Sequence, residues 1–295
     1  MLSLSVWIDS GRGVIDYVVV HSIMSNVIGT IRLCFVQHKG VFGGRWDAMI
    51  QAVDRALRIL AVLQGGRRMS LGEIATAIDL APSTVHGLVR TLLAHGMVQQ
   101  EIDSGRYRLG PATLRLGNVY LDTLELRSRV TLWAEGLARR TGCAVRTAVL
   151  LFDEVVVVAH EPRPDGTRQM PEVGIVIPAH ASALGKALLA FQPDYKPDDT
   201  LRSMTGETIT EQSALADQLE QIRATGIATE VEEAVLGECA AAAPIFDATS
   251  EAIGAIGVVV PAARWPLDPE AIDALRDTAR TVSRELGAPA WPARR

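Results

Sequence analysis

The stretch Ser70-Leu-Gly-Glu-Ile-Ala-Thr-Ala-Ile78 decides the fold of the first half of this chain. Its apolar residues recur at intervals of three and four, which places them on one side of a short helix. Ser70 and Glu73 have the spacing of a capping box, in which each side chain bonds to a backbone amide at the helix start. Pro82 lacks an N–H and pushes Ala81 away from the α region. The stretch therefore predicts a short helix that ends in a tight turn.

A second short helix is predicted to begin at Ser83-Thr84. Apolar residues from Val85 to Leu92 repeat the inward spacing, so small polar and basic groups remain on the outer face. These outward residues are Ser83, Thr84, His86, Gly87, Arg90 and Thr91. Two short helices joined by a tight turn form a helix-turn-helix, whose second helix can lie in the major groove of DNA. We therefore take the outward residues as candidate DNA contacts.

A β-hairpin is predicted between residues 97 and 109, around the turn Asp103-Ser-Gly105. Alternation along the second strand separates an apolar face from a basic one. The inward residues are Tyr107 and Leu109, and the outward residues are Arg106 and Arg108. A basic hairpin directly after a helix-turn-helix is typical of a wing, whose arginines contact phosphates or the minor groove. Arg106 and Arg108 therefore join the candidate DNA contacts.

Two further helices flank this unit. The first runs from Gln51 to Gln64 and ends at Gly65-Gly66. Its predicted inward stripe consists of Val53, Ala56, Leu57, Leu60 and Ala61. The second, from Thr113 to Leu126, is predicted to connect the winged unit to a second domain.

Residues 1–48 form an N-terminal extension. Val14 to Val20 has the composition of a strand, but no partner segment is evident nearby. We expect an upstream extension that results from a start codon assigned too early. A short regulatory arm is the alternative.

Composition narrows the class of protein. With 295 residues, 48% of them hydrophobic, the chain can build a normal core. The net charge is −5, but residues 50–110 hold seven arginines against five carboxylates, so positive charge is concentrated in the winged segment. Cys34, Cys143 and Cys239 form no CxxC pair, which predicts neither a disulfide framework nor a zinc site and fits a reducing cytoplasm. The sequence predicts no transmembrane span and no signal peptide.

The second half alternates between helical and β-rich segments. Helices are predicted at residues 128–141, 182–191, 211–225 and 268–286. Strands are predicted at residues 143–152, 155–160, 173–177, 226–231, 240–245 and 253–260. Hairpins with helices at the start, middle and end indicate an α+β domain with its helices on one face of the sheet.

Five motifs follow one another along most of the chain. They are Ala52-Val-Asp-Arg-Ala-Leu-Arg-Ile-Leu60, Ser83-Thr-Val-His86, Asp103-Ser-Gly-Arg-Tyr-Arg-Leu-Gly110, His180-Ala-Ser-Ala-Leu-Gly-Lys-Ala-Leu-Leu-Ala190 and Ala243-Pro-Ile-Phe-Asp247. Together they resemble the IclR family of bacterial transcription regulators. The resemblance implies a winged helix-turn-helix domain at 49–110, a linker helix at 111–126 and a GAF-like α+β effector-binding domain at 127–295. It also implies a homodimer or homotetramer that controls genes for the catabolism of organic acids, sugars or aromatics, and a symmetric dimer predicts a palindromic DNA operator.

This chain departs from the family at two places. The family often has Arg after the recognition-helix His, where this chain has Gly87, so Arg90 is expected to carry more of the binding. The family's effector pocket maps to Ala183, Leu184, Glu230, Cys239, Ala240, Gly257 and Val259, where Ala240 stands at a common Cys position. This pocket is less polar than that of relatives that bind small keto acids, so we expect an organic acid that is larger or more apolar, such as an aromatic acid.

Other features of the sequence suggest other functions. His180 and Ser182 could suggest a hydrolase, but no nucleophile elbow surrounds them, and a capping Ser beside a structural His is expected. Glu230, Glu232 and Glu233 could ligate a metal, but an acidic cluster that faces solvent or the effector is expected instead, with no metal and no cofactor. The alternative to a regulator is a small-molecule enzyme whose winged domain binds a protein.

Overall fold

The computed structural model describes residues 16–23, 27–34, 50–167, 169–193, 195–196 and 201–292. The chain separates into two compact units, and one border between them lies between Tyr120 and Leu121. Within α4 (Pro111–Thr123), this border falls near the helix end, and no residue of the helix is buried.

The predicted N-terminal strand has a partner. A strand β1 (Asp16–Ile23) pairs with β2 (Val27–Cys34) in a two-stranded sheet. The prediction that Val14 to Val20 lacks a nearby partner is therefore wrong, because Val27 to Cys34 is itself rich in β-branched residues. The remainder of residues 1–48 lies outside the described residues.

Between residues 50 and 110, the first unit has three helices and a hairpin. Its elements are α1 (Gln51–Val62), α2 (Leu71–Ala77), α3 (Pro82–Ala94), β3 (Val98–Gln100) and β4 (Tyr107–Leu109). The predicted capping box is confirmed, since the Glu73 amide donates to Ser70 Oγ and the Ser70 amide donates to the Glu73 carboxylate. Asp79, with a φ of 53°, makes the turn between α2 and α3. Pro82 is the first residue of α3, where its missing N–H leaves no helical bond unmade.

The apolar stripe predicted for α1 is wrong in part. Ile59, Val62 and Leu63 are buried against α2 and α3, whereas Val53 and Leu57 are 54% and 59% exposed. The helix carries two adjacent apolar stripes, and the one that contains Ile59 and Leu63 faces the core. The Arg58 guanidinium fixes this rotation because it donates to the Ile78 carbonyl at 2.9 Å.

The second unit is built on one antiparallel sheet. Its helices are α5 (Glu125–Thr141), α6 (Ala183–Leu189), α7 (Gln212–Thr225) and α8 (Pro269–Glu285). Its strands are β5 (Ala144–Leu151), β6 (Glu154–Glu161), β7 (Val176–Pro178), β8 (Ala228–Val231), β9 (Glu238–Phe246) and β10 (Ala252–Pro261). The strand order is β7-β6-β5-β10-β9-β8, so the two longest strands lie in the middle of the sheet.

Both faces of this sheet are covered by helices, which corrects the prediction of helices on one face. One core joins the sheet to α5 and α8, and a second joins the opposite face to α6 and α7. The central strands explain the difference: in β9 and β10 nearly every residue is apolar and buried, so each face must be shielded from water.

The start of α6 is held by close contacts. Ser182 Oγ accepts the Gly185 amide at 3.1 Å, and His180 Nε2 donates to the Arg202 carbonyl at 2.9 Å. This confirms a capping Ser beside a structural His. A Cβ on Gly185 would lie 2.2 Å from the Ala179 Cα, so only glycine lets α6 approach the preceding turn this closely.

Candidate functional site

The outer face of α3 is open to solvent. Val85, Val89 and Leu92 are buried beneath it. Among the predicted DNA contacts, Thr84 is half-buried, and the exposed ones are Ser83, His86, Gly87, Arg90 and Thr91. The helix thus presents one continuous polar surface, as a recognition helix must.

Two features of this surface affect its charge. Within the described part of the chain, Arg90 has no ion-pair partner, so its guanidinium is available to a phosphate or a base edge. A Cβ on Gly87 would meet no atom within 4 Å. A side chain therefore fits there, and the glycine is not required by packing.

The wing arginines are already paired. Arg106 donates to the Glu73 carboxylate and to the Arg68 carbonyl, both at 2.8 Å, which ties the wing to α2. Hydrogen bonds from Ser70 and from Arg106 lower the pKa of Glu73. Arg108 Nε lies 4.0 Å from the Glu101 carboxylate, which also pairs with Arg68 at 3.0 Å.

These pairs bear on the predicted role of the wing. The side chains of Arg106 and Arg108 are 42% and 43% exposed, so both reach solvent. For these arginines to bind DNA, a DNA phosphate must compete with Glu73 or Glu101 for their guanidinium groups. Sequence reasoning missed both carboxylates because the contacts join segments about thirty residues apart or cross the hairpin.

Six of the seven predicted effector residues lie close together, four of them on the sheet and two on α6. Glu230 lies beside Ala240, and Ala240 beside Val259. These residues face α6, which carries Ala183 and Leu184. Leu184 lies against Gly257, because a Cβ placed on that glycine would be 3.2 Å from Leu184 Cδ2. The face of the sheet under α6 is therefore the candidate effector site.

Cys239 does not belong to this group. It is fully buried in the core that joins the sheet to α5 and α8. Adjacent residues of a strand point to opposite faces, so Ala240 faces α6 and Cys239 faces away.

A buried ion pair next to this site was missed by sequence reasoning. The Lys186 ammonium lies 2.7 Å from Glu233 Oε1 and donates to Gln218 Oε1 at 2.8 Å. The Lys186 side chain has no exposed surface, and that of Glu233 is 8% exposed. The acidic residues at 230–233 are thus not a solvated cluster: Glu233 is paired inside the protein, and Glu232 accepts the Gly237 amide.

A second group of charges crosses the sheet. Arg146 of β5 lies beside Gly257 of β10 in the register. Its guanidinium binds both carboxylate oxygens of Glu172, with a 2.9 Å bond from Nη2 to Oε1, and also pairs with Glu238 of β9. Burial lowers the pKa of Arg146, but the two carboxylates outweigh it and raise that pKa overall. The sequence offered one signal of this group, because Arg146 is the one charged residue of the strand β5.

Glu230 has the most perturbed carboxyl group of the site. It is 5% exposed, and burial together with the nearby Glu238 carboxylate raises its pKa to about 8. At neutral pH this carboxyl is therefore largely protonated, and it can both donate and accept a hydrogen bond.

Within the described residues, no group of three or more His, Cys, Asp or Glu side chains is arranged to hold a metal ion. Among the helices that the structure describes, none combines the length and apolarity needed to cross a bilayer. Cys143 and Cys239 are buried free thiols.

Comparisons with known proteins identify the family. The family model described as "IclR helix-turn-helix domain" matches residues 52–101. The family model described as "Bacterial transcriptional regulator IclR C-terminal" matches residues 118–284. A glycerol operon regulatory protein of Streptomyces griseus is 43% identical over 247 residues, which cover 81% of this chain and 97% of that protein. The HTH-type transcriptional regulator BhcR of Paracoccus denitrificans is 33% identical over 84% of this chain and 90% of its own.

Solved structures agree with this fold. The crystal structure of an IclR transcriptional regulator from Silicibacter sp. TM1040 has a TM-score of 0.69 and 25% identity, and the match covers 82% of this chain and 98% of that chain. The winged helix-turn-helix, the α+β second unit and the family resemblance of the five motifs are thus confirmed. The chain belongs to the IclR family of bacterial transcriptional regulators.

Proposed function

We propose that this protein is a transcription regulator that binds a palindromic DNA operator and is controlled by a small molecule held between α6 and the sheet. The observation that carries the proposal is the continuous polar face of α3, where Ser83, His86 and Arg90 are exposed beside a basic wing. We propose Ser83, Thr84, His86, Gly87, Arg90 and Thr91 of α3, with Arg106 and Arg108 of the wing, as the DNA contacts. A regulator that acts on operator DNA works in the bacterial cytoplasm.

We propose that the chain acts as a homodimer or homotetramer. Ile50, directly before α1, and Val53 and Leu57 on that helix are between 54% and 69% exposed. On α4, Leu114 and Val119 are 65% and 60% exposed. Apolar side chains at this density on two helices support an interface between copies. Two copies related by a two-fold axis would present two α3 helices to the half-sites of a palindrome.

The division of labour follows the two units. We propose residues 49–110 as the DNA-binding domain, 111–126 as the linker helix and 127–295 as the effector-binding domain. The effector would contact Ala183, Leu184, Glu230, Ala240, Gly257 and Val259. Two observations favour different classes of effector. The apolar lining favours an organic or aromatic acid. The similarity to the glycerol operon regulatory protein of Streptomyces griseus favours a compound of glycerol metabolism.

A gel-shift titration tests the DNA-binding function. The probe is the intergenic DNA beside the encoding gene, at several salt concentrations. We expect saturable binding that weakens steeply with salt, because phosphate contacts release counterions. Arg90→Ala should weaken binding by about 1–3 kcal/mol, roughly 5- to 150-fold, if Arg90 contacts a base edge or phosphate.

The matched control is Arg139→Ala. Arg139 lies on α5, is 71% exposed and pairs only with Glu135 of the same helix among the described residues. An exposed pair of this kind contributes little to stability, so this variant should bind DNA like the wild type. Equal loss in both variants, or no retained probe at low salt, would contradict the proposal and favour an enzyme whose winged domain binds a protein.

A further inference from the structure

The effector site contains more charge than its predicted lining suggests. Six charged residues from the strands, from α6 and from the adjoining loops interact on this side of the sheet, and we call them the charged cluster. They are Arg146, Glu172, Lys186, Glu230, Glu233 and Glu238. Glu230 interacts electrostatically with Glu238, Lys186, Glu233 and Arg146, so the members lie within reach of one another.

Both cations of the cluster are already neutralised. Lys186 is held by Glu233 and Gln218, and each nitrogen of the Arg146 guanidinium faces a carboxylate oxygen of Glu172 or Glu238. Four carboxyl groups thus surround two cations. An anionic effector would add negative charge to a buried site where carboxyl groups are already in excess, which is unfavourable in a medium of low dielectric constant.

What the cluster offers instead is free acceptor oxygens. Within the described residues, Glu230 Oε2 and Glu233 Oε2 are buried and have no close hydrogen-bond partner, although the backbone amides of Val231 and Ile209 lie near enough to the Glu233 carboxyl to oppose the rise of its pKa. Both residues are more than nine-tenths buried, at 5% and 6% exposed. A buried polar atom without a partner is costly, so a ligand that supplies donors to both oxygens gains affinity. Hydroxyl groups fit best, because each donates one hydrogen bond and accepts others.

The sheet face that carries these oxygens packs closely against α6. A Cβ on Gly257 would lie 3.0 Å from the Ala241 carbonyl oxygen and 3.2 Å from Leu184 Cδ2. Ala183 and Ala240 complete a wall of small side chains. A short carbon chain needs less displacement of these close contacts than a planar aromatic ring does.

We infer that the effector is a neutral, short-chain polyol whose hydroxyl groups bind the free oxygens of Glu230 and Glu233. This inference rests on the effector-controlled function proposed above and names the class of molecule that controls it. Arg146, fixed by Glu172, and Lys186, fixed by Glu233, act as positioning residues that hold the acceptors in place. The organic or aromatic acid expected from the apolar lining is thereby replaced as the preferred class.

Titration calorimetry on the full-length protein tests the inference. The probes are glycerol, erythritol and xylitol as polyols, glycerol 3-phosphate as the charged ester, and 4-hydroxybenzoate and glyoxylate as acids. We expect at least one polyol to bind at least tenfold more tightly than the ester and both acids. Preferential binding of the ester or of an acid would overturn the inference, as would no binding by any polyol.

Variants of Glu230 locate the site. Glu230→Leu removes both oxygens and should lower polyol affinity tenfold or more, whereas Glu230→Gln keeps a donor and an acceptor and should stay within a few-fold of the wild type. Glu220→Leu is the control, because Glu220 is an exposed carboxylate on α7. Circular dichroism shows whether each variant is folded. Polyol binding that is unchanged in a folded Glu230→Leu variant would overturn the inference.

The same preparation separates this inference from the function on which it rests. If the wild type shifts operator DNA but no polyol binds, the polyol inference fails and the regulator stands. If the protein binds no DNA but binds a polyol, and this binding requires Glu230, the inference about the site holds and the proposed regulatory function fails.

Discussion

The buried pair of Lys186 and Glu233 gives the most exacting test of the site. We consider Lys186→Met, which keeps the length of the side chain and removes its charge. The side chain of Lys186 has no exposed surface, and its ammonium lies 2.7 Å from the Glu233 carboxylate. Loss of one partner of a buried pair typically costs about 3–5 kcal/mol, because the other charge is left without compensation.

The expected cost depends on pH. Burial raises the pKa of Glu233 and Lys186 opposes that rise, so removal of Lys186 raises the pKa further. A carboxyl group whose pKa is higher in the folded state than in the unfolded chain favours folding at low pH, and this contribution is lost as the pH rises through its folded pKa. The cost of Lys186→Met should therefore be smallest near pH 5 and increase towards pH 8, by at most about 1.4 kcal/mol per pH unit.

Guanidinium unfolding followed by tryptophan fluorescence measures this cost, because Trp265 and Trp291 pack against the core of the second unit. The double variant Lys186→Met/Glu233→Leu is the control. It removes both charges and should recover most of the lost stability. A single variant that costs less than about 1 kcal/mol at every pH, or a double variant no more stable than the single one, would refute the description of this pair as buried and coupled.

Three further predictions concern single residues. Gly185→Ala should destabilise the second unit by several kcal/mol in thermal unfolding, because the added Cβ would overlap Ala179. Its control is Gly136→Ala, in the open middle of α5, which should stabilise the unit by up to about 1 kcal/mol. Equal effects of the two variants would contradict the close approach of α6 to Ala179. Gly87→Arg should steepen the salt dependence of operator binding by about one phosphate contact, and an unchanged slope would place position 87 away from DNA. The pKa of Glu230 is about 8 in the folded protein against an ordinary 4.5, so the stability of the wild type relative to Glu230→Gln should decrease as the pH rises from 5 to 8 in urea unfolding. A stability difference that does not change with pH would mean that Glu230 is solvated.

Local pattern was sufficient for the winged unit. The capping box at Ser70, the inward spacing of α3 and the alternation of the hairpin are each set by neighbouring residues, and all three predictions are confirmed. The rotation of α1 was predicted incorrectly because Val53 and Leu57 form a stripe as apolar as the buried one. Which stripe is buried depends on what packs against the helix, and that contact comes from α2 and α3.

The arrangement of the candidate effector residues was predictable only in part. The family resemblance predicted Ala183, Leu184 and Ala240 as lining residues, and these lie together, whereas Cys239 lies on the opposite face of the sheet. The charged cluster could not be predicted, because its pairs join residues far apart in the chain: Arg146 meets Glu172 and Glu238, and Lys186 meets Glu233. Sequence spacing contains no information about such contacts until the strand order is known.

The two faces of the six-stranded sheet have a practical consequence for engineering. The side towards α5 and α8 is packed mainly with apolar side chains, whereas the side towards α6 holds the buried ion pair of Lys186 and Glu233. Every second position of β9 and β10 can therefore be varied to change which compound the regulator detects, while the intervening positions are left untouched to preserve folding. A biosensor library for new inducers would randomise Leu184, Ala240 and Val259, and would leave Cys239, Val258 and Val260 as they are.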